Sequence, residues 1–197
     1  LINCNIVGAN GIDENPIEPT TIYAVYIIGD STKNRISAGI LSKNYDSPSL
    51  PFGYDMFNLL GFVRTGTGSN IVTFLMNGRS NDRAMYYIVF FQELTNGSSS
   101  LFTPVDLSPS VPPLNTIVFF DVTLNASASS ALVEFIPFGS SASNGIIKFG
   151  YGVAGTQIGS IGIPCGLNGN IPSIQYRVSA GSTVSLRVYG YLNISKY

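Results

Sequence analysis

The chain contains no histidine and no tryptophan, only two cysteines, and 10 Lys+Arg against 11 Asp+Glu in 197 residues. Each shortage excludes a class of chemistry. Without histidine there is no Ser-His-Asp or Cys-His machinery, because no other side chain titrates near neutral pH unperturbed. Zinc loses its commonest nitrogen ligand, and two cysteines do not make up the number. Charged residues are 11% of the chain, against about 25% in ordinary soluble proteins. A net charge of −1 cannot neutralise a phosphate backbone, so nucleic acid is a poor partner. No apolar run approaches the roughly 20 residues of a membrane-spanning helix; Ala84–Phe91 is strand-sized. No membrane insertion and no cofactor are expected.

What is present is apolar and aromatic. Hydrophobic residues make up 45% of the chain, with 11 Tyr and 12 Phe, and mean hydropathy is +0.27. That is enough apolar surface to offset chain entropy, so the chain folds. A chain of this length buries roughly 70% of its unfolded surface and needs no disulfide or metal staple. Cys4 and Cys165 therefore read either as two buried thiols or as a disulfide joining the first strand to a late loop. The absence of an initiating Met and of a basic leader region is what a processed or truncated chain shows. Asn-x-Ser triplets at Asn96, Asn125 and Asn193 are as frequent as chance allows in so Asn- and Ser-rich a sequence.

The dominant periodicity is two. Val184, Leu186 and Val188 alternate with polar residues, as do Ile174, Tyr176 and Val178. Val118, Phe120, Val122 and Leu124 share one face opposite Asp121 and Thr123. Ile22–Ile28, Ile71–Met76 and Tyr86–Phe91 are apolar on both faces, as expected of strands covered on both sides, within the fold or at a subunit contact. Met56–Val63 suits either a helical turn or a strand. Gly/Pro/Asn/Ser clusters at residues 8–11, 66–70, 96–100 and 166–170 supply turns. No segment has convincing helical periodicity. The expected fold is all-β: an antiparallel, jelly-roll-like sandwich of about a dozen short strands in one domain spanning 1–197. The Pro-rich stretch Thr95–Pro113 is a long crossover between sheets or a boundary between lobes.

Candidate chemistry is sparse. A glycosidase would need two carboxylates about 5–9 Å apart, drawn from Asp13, Glu14, Asp46, Asp55, Asp82 and Glu134. Asp13, Asp46 and Asp55 sit in turn-like contexts, where Asp caps backbone N–H groups. Gly150–Gly155 has GxGxxG spacing, but glycines at 159 and 162 break any following helix, so a dinucleotide loop is not expected. Asn77–Asp82 lacks the dense acidic set of a calcium loop. No catalytic, cofactor or metal residue is therefore assigned, and the chain is expected to be no enzyme. Tyr45, Phe52 and Tyr54 in a turn-rich stretch, with Tyr189 and Tyr191 on the polar face of the last strand, are candidates for stacking on sugars or for filling loop cores and interfaces.

Several stretches resemble a family of bacteriophage virion proteins, the tail-fibre-like and tailspike-appendage proteins. They are Asn10-Gly11-Ile12-Asp13 leading into Tyr23–Asp30, then Leu50-Pro51-Phe52-Gly53-Tyr54-Asp55, then Gly61-Phe62-Val63-Arg64-Thr65. Leu107–Pro113 before an alternating strand is similar to the family's second half. Asn58 and Leu59 stand where the family usually shows basic residues. The resemblance implies a non-enzymatic virion component, usually a homotrimer, on a fibre, spike or capsid exterior. Its expected partners are further copies of itself, other virion proteins and host-surface polysaccharide. The alternatives are a purely structural decoration or oligomerisation module, or an accessory module of a polysaccharide depolymerase.

Overall fold

A computed structural model describes residues 2–14, 16–33, 35–79, 82–114, 116–141 and 145–193. The described residues form fourteen strands, no α-helix and one short 3-10 turn, so the all-β expectation holds. The chain divides into two compact units, Leu1–Val72 and Thr73–Tyr197. The division falls at Val72, and the stretch 95–113 lies wholly within the second unit.

The first unit is one four-stranded sheet. It contains β1 (Gly11–Ile12), β2 (Ile22–Asp30), β3 (Arg35–Ser42) and β4 (Met56–Arg64), in the order β1-β3-β2-β4. Met56–Val63 is thus strand. Central β2 is buried along most of its length, with Tyr23, Tyr26 and Ile28 inaccessible or nearly so, which accounts for its apolar character on both faces. Burial is tolerable for the two phenols because each is hydrogen-bonded: Tyr26 donates to the Asn44 carbonyl at 3.0 Å, and Tyr23 accepts from the Glu18 N–H at 2.8 Å. Asn10, with φ of 60°, turns the chain into β1, and its side chain accepts from the Gly39 N–H at 3.1 Å.

The second unit is a sandwich of two sheets. Its strands are β5 (Phe74–Arg79), β6 (Asp82–Gly97), β7 (Thr103–Asp106), β8 (Thr116–Ala126), β9 (Val133–Pro137), β10 (Ile147–Phe149), β11 (Gly155–Pro164), β12 (Gly166–Asn168), β13 (Ile171–Val178) and β14 (Thr183–Asn193). One sheet runs β11-β8-β14-β6-β5; the other runs β10-β9-β13, with β12 and β7 both pairing β13. Leaving aside β5 and the three-residue β12, the orders are β6-β14-β8-β11 and β7-β13-β9-β10. Successive strands alternate between sheets except at the β9–β10 hairpin, which is jelly-roll connectivity. The stretch 95–113 carries the chain from the first sheet to β7 in the second and back toward β8.

Period two sets the core. Along β8, Thr116, Val118, Phe120, Val122, Leu124 and Ala126 are buried, and along β14 Val184, Leu186 and Val188. Two of the doubly apolar segments are not covered on both sides within the protomer. Leu75 is 66% exposed on edge strand β5, and Ile88, Val89 and Phe90 are 60%, 50% and 53% exposed on β6. The pairing of β6 with β14 steps from Tyr86 opposite Gly190 to Phe91 opposite Val188. The residues between them bulge out of register and cannot keep their alternation.

Candidate functional site

The same irregularity builds the aromatic surface of the second unit. The pairing of β14 with β6 and with β8 slips between Val188 and Gly190. The slip inverts the inside–outside phase: Tyr189 stays half-buried on the outer face, whereas Tyr191 is 3% exposed in the core. The two tyrosines expected on one polar face are therefore on opposite faces. Gly190 makes the slip possible, since a Cβ there would lie 2.3 Å from the Met85 carbonyl oxygen.

Gly190 stands opposite both Tyr86 and Phe119, and having no side chain it lets those two rings meet across β14. They stack at 5.5 Å between centroids with 6° between planes. Phe119 also stacks on Tyr189 at 5.9 Å and 22°, and Phe90 meets Tyr189 edge-on at 6.1 Å. On β11 the residue opposite Phe119 is Gly162, so no side chain covers that end of the strip. The next row across the sheet is polar: Ser160, Asp121, Arg187 and Gln92 are register partners. Arg187 Nη2 donates to Asp121 Oδ2, and its guanidinium lies 4.9 Å above the Phe90 ring. The Gln92 amide N–H₂ donates to the Leu186 carbonyl at 3.0 Å, which orients its oxygen. An apolar strip of four rings beside planar hydrogen-bonding groups can take the C–H face of a pyranose and hold its hydroxyls.

The aromatics of the first unit divide differently. Tyr45 packs on Phe62 at 5.7 Å and donates to the Ile22 carbonyl at 3.3 Å, a loop-core role. Phe52 is fully exposed beside Gly53, whose φ is 86°. Tyr54 is half-buried.

The acids are occupied structurally. Asp13 and Glu14 accept from the backbone N–H (3.1 Å) and hydroxyl of Ser49. Asp55 takes the N–H (2.7 Å) and hydroxyl of Ser31, and these bonds lower its pKa. Asp30 is brought down to about 2 by hydrogen bonds from Lys33 and Thr32. Asp46 is exposed in a turn closed by Asn44. The shifts of Asp30, Asp55 and Glu134 are all downward, opposite to the raised pKa a general acid uses. In the stretch Asn77–Asp82, Ser80, Asn81 and the Asp82 side chain lie outside the described residues, as do the last two positions of the Asn193 triplet. Of the Gly150–Gly155 stretch, residues 150–154 are a loop whose turn is tied by Gln157, which accepts from the Tyr151 N–H at 2.6 Å, and Gly155 opens β11. Cys4 and Cys165 are free, partly buried thiols; burial pushes the Cys165 thiol up to about 12, so it stays protonated at neutral pH.

Glu134 is the most enclosed acid of the sandwich among the described residues. Burial alone would raise its pKa, but Arg177 and Lys148 bind it and hold it below the ordinary range. A carboxyl lowered on folding adds stability above its ordinary pKa of 4.5, and this is lost as pH falls through the folded value. The sandwich should therefore lose stability below about pH 4.5, and Glu134→Gln should flatten that part of the profile. Denaturant unfolding at a series of pH values checks this; identical slopes would contradict it.

No protein-family model matches the chain, and no curated protein matches it. Among solved structures it is similar to the carbohydrate-binding module CBM6cm-2 of Cellvibrio mixtus lichenase 5A, solved in complex with cellotriose. Identity is 10%, over 64% of this chain and 88% of that chain, with a TM-score of 0.27. At that score the likeness carries no argument about ligand or mechanism.

Proposed function

We propose that this chain is a non-enzymatic component of a bacteriophage virion, carried on a tail fibre or other exterior appendage, that contacts host-surface glycan through the outer face of β8, β14 and β6. The observation that carries the glycan reading is the strip Tyr86–Phe119–Tyr189–Phe90 beside the Asp121–Arg187 row. The virion reading is supported by the turn and strand motifs of residues 10–13, 23–30, 50–55 and 61–65. Ligand recognition by stacking and neutral hydrogen bonds suits a chain with so few charges.

The test is binding of neutral oligosaccharides, on a glycan array and then by calorimetry, to the native chain and to Phe119→Ala/Tyr189→Ala. Two lost ring contacts at about 0.5–1.5 kcal/mol each weaken binding by roughly fivefold to somewhat over a hundredfold. Unchanged affinity in the double variant would place the ligand elsewhere. Polysaccharide cleavage by the chain would overturn the non-enzymatic reading.

Self-association is a second reading, and Leu75, Ile88 and Val89 favour it, being too exposed for apolar side chains in a lone protomer. The resemblance points to a trimer. Sedimentation equilibrium should give a multiple of 21.0 kDa, and a monomer at all concentrations would end this reading.

A further inference from the structure

The opposite face of the sandwich carries a second polar constellation, distinct from the aromatic strip. Lys148 on β10, Glu134 on β9 and Arg177 on β13 are register partners in one row. Lys148 Nζ lies 3.1 Å from Glu134 Oε1, and Arg177 Nε donates to Glu134 Oε2. The Phe102 ring lies against the guanidinium at 4.6 Å. Beside this row opens a cavity of about 250 Å³, lined by Ser100, Leu132, Glu134, Arg177 and Ser179.

Two cations on one acid leave the row with a net charge of +1. Glu134 satisfies only the Nε side of Arg177, and among the described residues the two Nη groups have no hydrogen-bond partner. Guanidinium presents five N–H groups in a rigid fork, so its outer edge remains to receive a planar anion in two parallel bonds. Phe102 on one side and Glu134 at Nε fix the plane of that fork. The cavity is smaller than drug-sized pockets of about 300–1,000 Å³, and of the size a single sugar ring needs. Ser179 is already committed: its hydroxyl accepts from the Leu132 N–H at 3.0 Å and donates to the Leu132 carbonyl at 3.2 Å. It therefore shapes the wall, whereas Ser100 makes no side-chain hydrogen bond among the described residues and is available to a ligand hydroxyl.

We propose that this cavity is a binding site for a carboxylate-bearing sugar of the uronate class, with the carboxylate on the Nη edge of Arg177 and the ring hydroxyls toward Ser100. Lys148 supplies the long-range attraction, and Glu134 is the residue that positions the guanidinium. The site does not depend on the aromatic strip, and either can fail without the other.

The experiment titrates D-galacturonate, galactose and sodium sulfate into the full chain, following calorimetric heats and amide shifts of residues 100, 134 and 177. Galacturonate should bind, galactose should bind at least tenfold more weakly, and sulfate should not compete at equal concentration. Arg177→Lys keeps the charge beside Glu134 but loses the fork, and should weaken galacturonate at least tenfold while circular dichroism is unchanged. Ser100→Ala, which disturbs no ion pair, should weaken it several-fold and serves if Arg177→Lys fails to fold. Phe119→Ala/Tyr189→Ala should leave galacturonate binding intact. Absence of galacturonate binding overturns the proposal, as does unchanged affinity in both site variants. Sulfate binding as tight as galacturonate overturns the sugar assignment.

Discussion

Phe120→Ala should unfold the sandwich at markedly lower denaturant, at a cost of about 3–5 kcal/mol. Phe120 is fully buried in the middle of β8, flanked on the inner face by the buried Val118 and Val122 and paired across strands with Val188 and Ile161. These neighbours are held by ladders on both sides of β8, so they relax little into the space left. The cost therefore includes a cavity as well as lost transfer energy. Because the chain has two units, the midpoint of a single probe is a poor measure. Amide exchange of β8 and β14 isolates the sandwich, and its protection should fall by two or more orders of magnitude. Phe119→Ala is the matched control. That side chain is on the outer face, so its loss should cost the sandwich far less while weakening glycan binding. Equal destabilisation by the two substitutions would mean that the assignment of inner and outer faces is wrong.

Gly190→Ala has the next largest effect and links fold to site. The added methyl would meet the Met85 carbonyl oxygen at 2.3 Å and the Tyr86 Cα at 3.1 Å. Backbone cannot yield as a flexible side chain can. The β14–β6 pairing must open or the bulge must shift, at about 1–3 kcal/mol or more. Either response moves Tyr86 away from Phe119 and disturbs the phase that sends Tyr189 outward and Tyr191 inward. The variant should thus lose stability and oligosaccharide affinity together, although residue 190 has no side chain to touch a ligand. Retained affinity in a destabilised protein would show that the aromatic strip does not need the bulge. Thermal unfolding is the companion measurement, at roughly 2–4 °C per kcal/mol for a chain of this size.

The alternation of Val118, Phe120, Val122 and Leu124, and of Val184, Leu186 and Val188, was legible in the sequence because the pleat has a period of two. Each apolar set then has only one way to face a core. The turns were legible for a similar reason: few residues tolerate the backbone of Asn10 or Gly53. The missing histidine and scarce charge narrowed the chemistry before any fold was known. Tyr189 and Tyr191 were misplaced because a one-residue slip inverts every side chain beyond it. That slip depends on Gly190 meeting the β6 backbone, a contact between residues about a hundred positions apart. The exposure of Ile88, Val89 and Phe90 within the protomer was not legible for the same reason, since a run of apolar residues does not declare whether its strand stays in register or is covered by its own chain or by another copy. Glu134, Arg177, Lys148 and Phe102 carry no local signature; pairing of β9, β10 and β13 puts the three charges in one row. Sequence determined which segments are strands and, in the regular ones, which face is inside. Tertiary structure decided which rings and charges share a surface, because that is set by long-range register and by the absence of a side chain at single glycines.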